Sequence, residues 1–310
     1  MTDAFKKIVR QFNQTACADA KAPVRVKAVN TLLNSGYDLR NLDDSDIELI
    51  WDSLFFALWY AEMGKGCEEI IAAIERACRG SYKLSRVGLL TISKKWFGLD
   101  QYRIDKVSHL ARHLLPVIIE QQIKLWMKTR KRQKLGGHDV NCKQMLKKAL
   151  SDIASSYGLC YFILEILAEE ISRTLIRVYD EKHITVGKFE LKADLIVFLY
   201  KQVISFASDV KLDSRLLRTF DQYVIRKFVD EILPNESQLT QILITLRLFQ
   251  ALNEHLNDKK SQRINGKCRA LFSRWSGIIQ DIHEKCLSGE FFPNTIMPVR
   301  GTIKWKPQIE

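Results

Sequence analysis

The side chains able to do chemistry are scattered along this 310-residue chain, and no group of them completes a reactive set. His138 and Asp139 form an adjacent pair beside Gly136 and Gly137. Helical metal-dependent phosphohydrolases use such pairs, but they need further His and Asp ligands from neighbouring helices to fill the coordination shell. The other histidines, at 109, 113, 183, 255 and 283, lack a matching carboxylate spacing. Gly64-Lys65-Gly66 is too short for a phosphate-cradling P-loop, and no Gly-x-Ser-x-Gly elbow occurs. Glu165, Glu169 and Glu170 share one helix edge, the pattern of a solvated acidic face. Seven cysteines, at 17, 67, 78, 142, 160, 268 and 286, contain no Cys-x-x-Cys pair, and their odd number predicts reduced thiols. Cys67, Cys78 and Cys160 sit among apolar neighbours and are expected to pack as small hydrophobes. No nucleophile, base and oxyanion donor come together, so no catalytic residue, metal, cofactor or small-molecule substrate is expected.

Charge is more informative. Residues 121–150 hold nine Lys or Arg against one acid, Asp139, and so carry +8 of the net +12. Within them Lys128, Arg130, Lys131, Arg132 and Lys134 place five cations in seven residues, just before the helix-ending Gly136-Gly137. Such a run suits a helix C-terminus, where cations meet the negative end of the dipole. It also suits an acidic import-receptor groove, or RNA phosphates whose condensed counterions it would release. Lys259, Lys260, Arg263, Lys267, Arg269 and Arg274 form a smaller group that could extend the same surface. No RRM signature, KH loop or zinc knuckle is present, so any RNA contact is expected to be to the backbone.

Helices must position these groups. Only six prolines and fourteen glycines interrupt a chain that is 46% hydrophobic. Ile47, Ile50, Trp51, Leu54, Phe55, Leu58 and Trp59 recur at steps of three and four, which places them on one helical stripe as core residues. Ser45 and Glu48 are spaced as its capping box. Pro23 suits the first turn of a helix carrying Val24 to Leu33. Further helices are expected over about 3–17, 66–79, 83–97, 101–133, 140–179 with a break near Gly158, 189–207, 213–230, 236–256 and 265–286. Pro116 should bend the long one without breaking it. Lys182 to Val186 is the lone strand-like segment. The expectation is an all-α, irregular HEAT/armadillo-like α-solenoid of stacked hairpins, with residues 1–290 one helical-repeat domain and 291–310 an extension. Charge near the N-terminus and short apolar runs predict a soluble intracellular protein with no membrane partner.

Two aromatic-rich segments carry a resemblance. Ile50-Trp51-Asp52-Ser53-Leu54-Phe55-Phe56-Ala57-Leu58-Trp59 is similar to a Leu-Trp-x-x-Leu-Phe-type helix. Trp96, Gly98, Leu99, Asp100, Arg103, Asp105 and Lys106 follow Trp-x-Gly-Ile-Asp-x-x-Arg-x-Asp-Lys, with leucine for isoleucine, and Arg112 matches a later arginine. Both patterns resemble the eukaryotic ribosomal RNA-processing protein 1 family. Tyr157 to Leu167 is a weaker match, without that family's histidine and aspartate; the likeness spans about residues 5–210. It implies a nucleolar, nuclear, non-enzymatic scaffold of precursor ribosomal RNA processing and 60S subunit biogenesis. Pre-60S assembly factors, precursor ribosomal RNA and an import receptor would be its partners. The alternatives are an armadillo-like peptide-binding transport or signalling adaptor that contacts no RNA, and a phosphohydrolase centred on His138 and Asp139.

In physical terms Trp96 to Lys106 is a joint between helices. Gly98 is expected to end one helix with positive φ, Asp100 to cap the next, and Arg103 or Lys106 to pair with nearby acids. Lys94, Lys95, Arg103 and Lys106 could then rim a surface for protein or RNA.

Overall fold

The structure, a computed structural model, describes residues 3–16, 20–34, 42–134, 143–181, 189–210, 212–257 and 266–288. Every regular element among them is helical: α1 (Asp3–Thr15), α2 (Ala22–Leu33), α3 (Asp44–Trp59), α4 (Lys65–Arg79), α5 (Tyr82–Lys95), α6 (Gln101–Lys134), α7 (Met145–Ile153), α8 (Tyr157–Glu181), α9 (Phe189–Asp209), α10 (Ser214–Thr219), α11 (Gln238–Asn257) and α12 (Gly266–Ser288). The strand-like stretch at Lys182 to Val186 lies outside the described residues.

Alternation of contacts defines the architecture. The odd-numbered helices pack in sequence, α1 on α3, α3 on α5, α5 on α7, α7 on α9 and α9 on α11. The even-numbered ones do the same from α2 through α4 and α6 to α8, and α8 continues onto the turns after α10. Contacts such as α1 with α2, α5 with α6 and α11 with α12 tie the layers together. Two layers of neighbouring hairpins make an α-solenoid, irregular because its members range from 6 residues in α10 to 34 in α6. Buried apolar side chains from Val9 to Cys286 form one cluster through it. No helix of the described residues is long and apolar enough to cross a membrane.

Several local expectations are corrected. The cap of α3 is Asp43, not the Ser45 and Glu48 box. Asp43 Oδ1 accepts from the Asp46 N–H at 2.8 Å, and Ser45 Oγ donates to that same oxygen. A carboxylate at the positive end of a helix is the stronger acceptor, and the Asp46 N–H holds the Asp43 pKa below its usual value. Glu48 pairs instead with Lys94 at 2.9 Å.

The helix α6 runs unbroken through Pro116. The interruption near Gly158 falls at residues 154–156, leaving Gly158 inside the first turn of α8. After α10 the chain widens into π-helical turns at Phe220–Arg226 and Phe228–Ile232, where a regular helix was expected. The wider turns bring Phe220 to 6.2 Å from Phe272 and Phe228 to 4.4 Å from Tyr200, ring to ring, so both face the core. α7 starts without a cap of its own. Gln122, buried in α6, accepts from the Met145 N–H at 2.6 Å, and Gln202 of α9 accepts from the Lys147 N–H at 3.4 Å.

Cys67, Cys78, Cys160, Cys268 and Cys286 are free and buried, and burial pushes the Cys160 thiol up to about 12. Cys17 and Cys142 lie outside the described residues.

Candidate functional site

Trp51 is 1% exposed, and its Nε1 donates to the Leu84 carbonyl at 2.8 Å. Its ring lies against Gly88 of α5 so closely that a Cβ there would stand 2.2 Å from Cζ2. Trp96 repeats the device: it stacks on Phe162 at 6.5 Å, and a Cβ on Gly158 would stand 2.2 Å from its Nε1. Each tryptophan is thus locked to a glycine on another helix, α3 to α5 and the end of α5 to α8. Trp59 is half-buried, 5.8 Å from the Phe55 ring, with the Arg103 guanidinium 4.1 Å above it.

The joint itself differs from expectation at two residues. Gly98 closes a short 3-10 turn, Trp96–Gly98, with no positive φ; among the described residues only Gly64 has one, at 130°. The 3-10 turn followed by extended Leu99 makes the reversal, so no left-handed residue is required there. Asp100 does cap α6, accepting from the N–H groups of Tyr102 and Arg103 at 3.0 Å, and its carboxylate also binds Arg103. Asp105 is exposed and makes no ion pair among the described residues.

Lys106, expected to pair with an acid or rim a surface, is 5% exposed. Its Nζ donates to the carbonyls of Trp59 at 2.7 Å and Ala61 at 2.6 Å. A cation at the negative end of α3 satisfies carbonyls that the helix end leaves without partners. Lys94 and Lys95 are also engaged, by Glu48 and Asp52, and Lys95 lies 5.2 Å from the Phe56 ring centroid. The large hydrophobic side chains that stand out in solvent from this joint are Phe97 and Tyr102. Replacing Lys106 with methionine is expected to lower stability by roughly 2–4 kcal/mol, because two buried carbonyls lose their donor. Urea unfolding measures it, and a wild-type midpoint would show that water replaces the ammonium.

The basic run is partly tied down. Lys128 and Lys131 are exposed, with no ion pair among the described residues. Arg130 is half-buried, bound to Asp194 of α9, with its guanidinium 5.1 Å from the Trp126 centroid. Arg132 and Lys134 belong to the last turn of α6, but their side chains lie outside the described residues. Around the run, Lys124 binds Glu120, Lys147 lies 2.6 Å from Asp209, and Lys148 lies 2.9 Å from Asp152. In the C-terminal group Arg274 pairs with Asp221 at 2.6 Å and Lys267 donates to Ser214 Oγ at 2.8 Å. Lys259, Lys260 and Arg263 lie outside the described residues.

The scattered reactive groups have local partners. His109 meets Glu68 at 3.0 Å and His113 meets Glu75 at 2.5 Å, both across to α4. The His113 hydrogen bond holds the Glu75 carboxyl down to about 2. The acidic edge of α8 is not simply solvated: Glu170 is buried, burial raises its pKa, and Glu169 lies 3.6 Å from Lys227. His138 and Asp139 lie outside the described residues, and no group of three His, Cys, Asp or Glu able to hold a metal occurs among the described ones.

Glycine-locked tryptophans, an ammonium-capped joint and a cationic helix end define an all-α solenoid built from packed hairpins with a basic surface. The chain belongs to the nucleolar protein Nop52 family, whose model matches residues 11–270. That family is Rrp1-like, nucleolar, and works in ribosome biogenesis and ribosomal RNA processing. No curated protein matches the chain.

Proposed function

We propose that this chain is a non-enzymatic scaffold of the 60S branch of ribosome biogenesis, holding pre-60S assembly factors and precursor ribosomal RNA together in the nucleolus. The observation that carries this reading is the exposure of Lys128 and Lys131 at the end of a 34-residue helix in a nucleolar-family solenoid. Flexible cations on a rigid helix end suit a phosphate backbone, where each contact releases counterions. The same run serves as an address for an import receptor. Residues 1–290 act as one helical-repeat unit, a reading supported by the single buried cluster from Val9 to Cys286, with 291–310 as an extension. That the chain does no chemistry of its own belongs to the same reading, supported by thiols that burial holds away from the thiolate a nucleophile needs. Tagging the chain and identifying the particle that copurifies tests the reading. Large-subunit precursors with their RNA are expected; a peptide cargo or receptor without ribosomal RNA would overturn it in favour of a transport adaptor.

A further inference from the structure

The fold adds a cation to the basic run from a distant part of the sequence. Arg130 of α6 and Arg247 of α11 reach the two oxygens of one carboxylate, Asp194 of α9, Arg130 Nη1 donating to Oδ2 and Arg247 Nη1 to Oδ1. Arg247 also donates to the Glu190 carbonyl at 3.3 Å. Arg130 is steadied by Trp126, whose ring lies 6.0 Å from that of Phe198 on α9. The side chains of Arg130, Asp194 and Arg247 are 28%, 24% and 30% exposed, so the cluster is open at the surface. The carboxylate engages one nitrogen of each guanidinium, and the other nitrogens have no protein partner among the described residues. Two arginines on one aspartate leave an excess positive charge. Exposed Lys128 and Lys131 add to it on α6, while Glu190 is the other carboxylate on that turn of α9.

We propose that Arg130 and Arg247, set in place by Asp194, form a phosphate-binding fork for an RNA backbone, carrying the contact surface from α6 across α9 to α11. The proposal rests on the RNA contact inferred above. Planar guanidinium groups meet phosphate oxygens two N–H bonds at a time, and Asp194 orders both before the ligand arrives, which lowers the side-chain entropy lost on binding. Asp194 is a positioning residue and touches no phosphate itself.

The full chain titrated with a single-stranded RNA oligomer over a salt series tests this. Arg247→Gln is expected to weaken binding roughly tenfold and to lower the slope of log affinity against log salt by about 0.7, one phosphate's share. Arg247→Lys keeps the charge and is expected to hold the slope while losing part of the affinity. Lys21→Gln, an exposed position before α2, is the control and is expected to change neither. Equal loss of slope in the Gln and Lys variants, with a lowered melting midpoint, would make Arg247 structural and overturn the fork. Wild-type binding by Arg247→Gln, while Lys128→Gln with Lys131→Gln weakens it, would overturn the fork and leave the α6 surface standing. Absence of salt-dependent binding by the wild-type chain would overturn both.

Discussion

Trp51→Ala is expected to lower the unfolding free energy by roughly 3–5 kcal/mol. The indole is 1% exposed between α3 and α5, so its removal loses a large buried surface and leaves a cavity that two packed helices cannot readily close. It also removes the donor to the Leu84 carbonyl. Gly88→Ala attacks the same contact from the other side. Its Cβ would stand 2.2 Å from Cζ2 and 2.6 Å from Cε2 and Cη2, so the indole or the helix must shift, at about 1–3 kcal/mol. In the double variant the new methyl enters space the ring has left, and the two effects are expected to be non-additive by about 0.5–3 kcal/mol. Urea unfolding of the wild type, both single variants and the double variant measures the coupling. Additive losses would mean that ring and glycine do not share one packing site. Wild-type unfolding by Trp51→Ala, with loss of a binding partner, would move the indole from core to interface.

Replacing Lys128, Arg130, Lys131, Arg132 and Lys134 together with glutamine is expected to flatten the salt dependence of RNA binding by about 2–4 in log–log slope. The lower bound follows from the geometry. Arg130 already spends part of its charge on Asp194, whereas Lys128 and Lys131 are exposed without an ion pair among the described residues. Stability should change little at the two lysines, since solvated surface cations contribute little to folding. Only Arg130, which links α6 to α9, is expected to weaken the fold. Affinity and slope both measured at wild-type values would place the RNA surface elsewhere on the molecule.

Helix positions and the all-α class were legible in the sequence, because apolar steps of three and four are a local signal and α4 and α11 carry it cleanly. Interior assignment of Trp51 followed from the same signal. What the sequence hid were relations between helices. Lys106 follows a charged pattern, yet its ammonium is spent on the carbonyls of another helix. Asp194 and Arg247 carry no local mark, since their meaning depends on α6, α9 and α11 meeting. Gly88 and Gly158 did offer a signal, each being a weak helix former inside a strong helical pattern, which indicates close approach by a neighbour. Asp43 was displaced by Ser45 because a capping box is read from spacing, while the backbone selects whichever acceptor sits at the first turn.

Packing between helices one or two places apart has a kinetic corollary. Most contacts here close short stretches of chain, so topology imposes little of the delay that distant strand pairing brings. The first hairpins hold what they need to collapse before the later ones emerge from the ribosome that translates them. Such a molecule is expected to mature from its N-terminus onward during synthesis, with α11 and α12 docking onto an edge already formed.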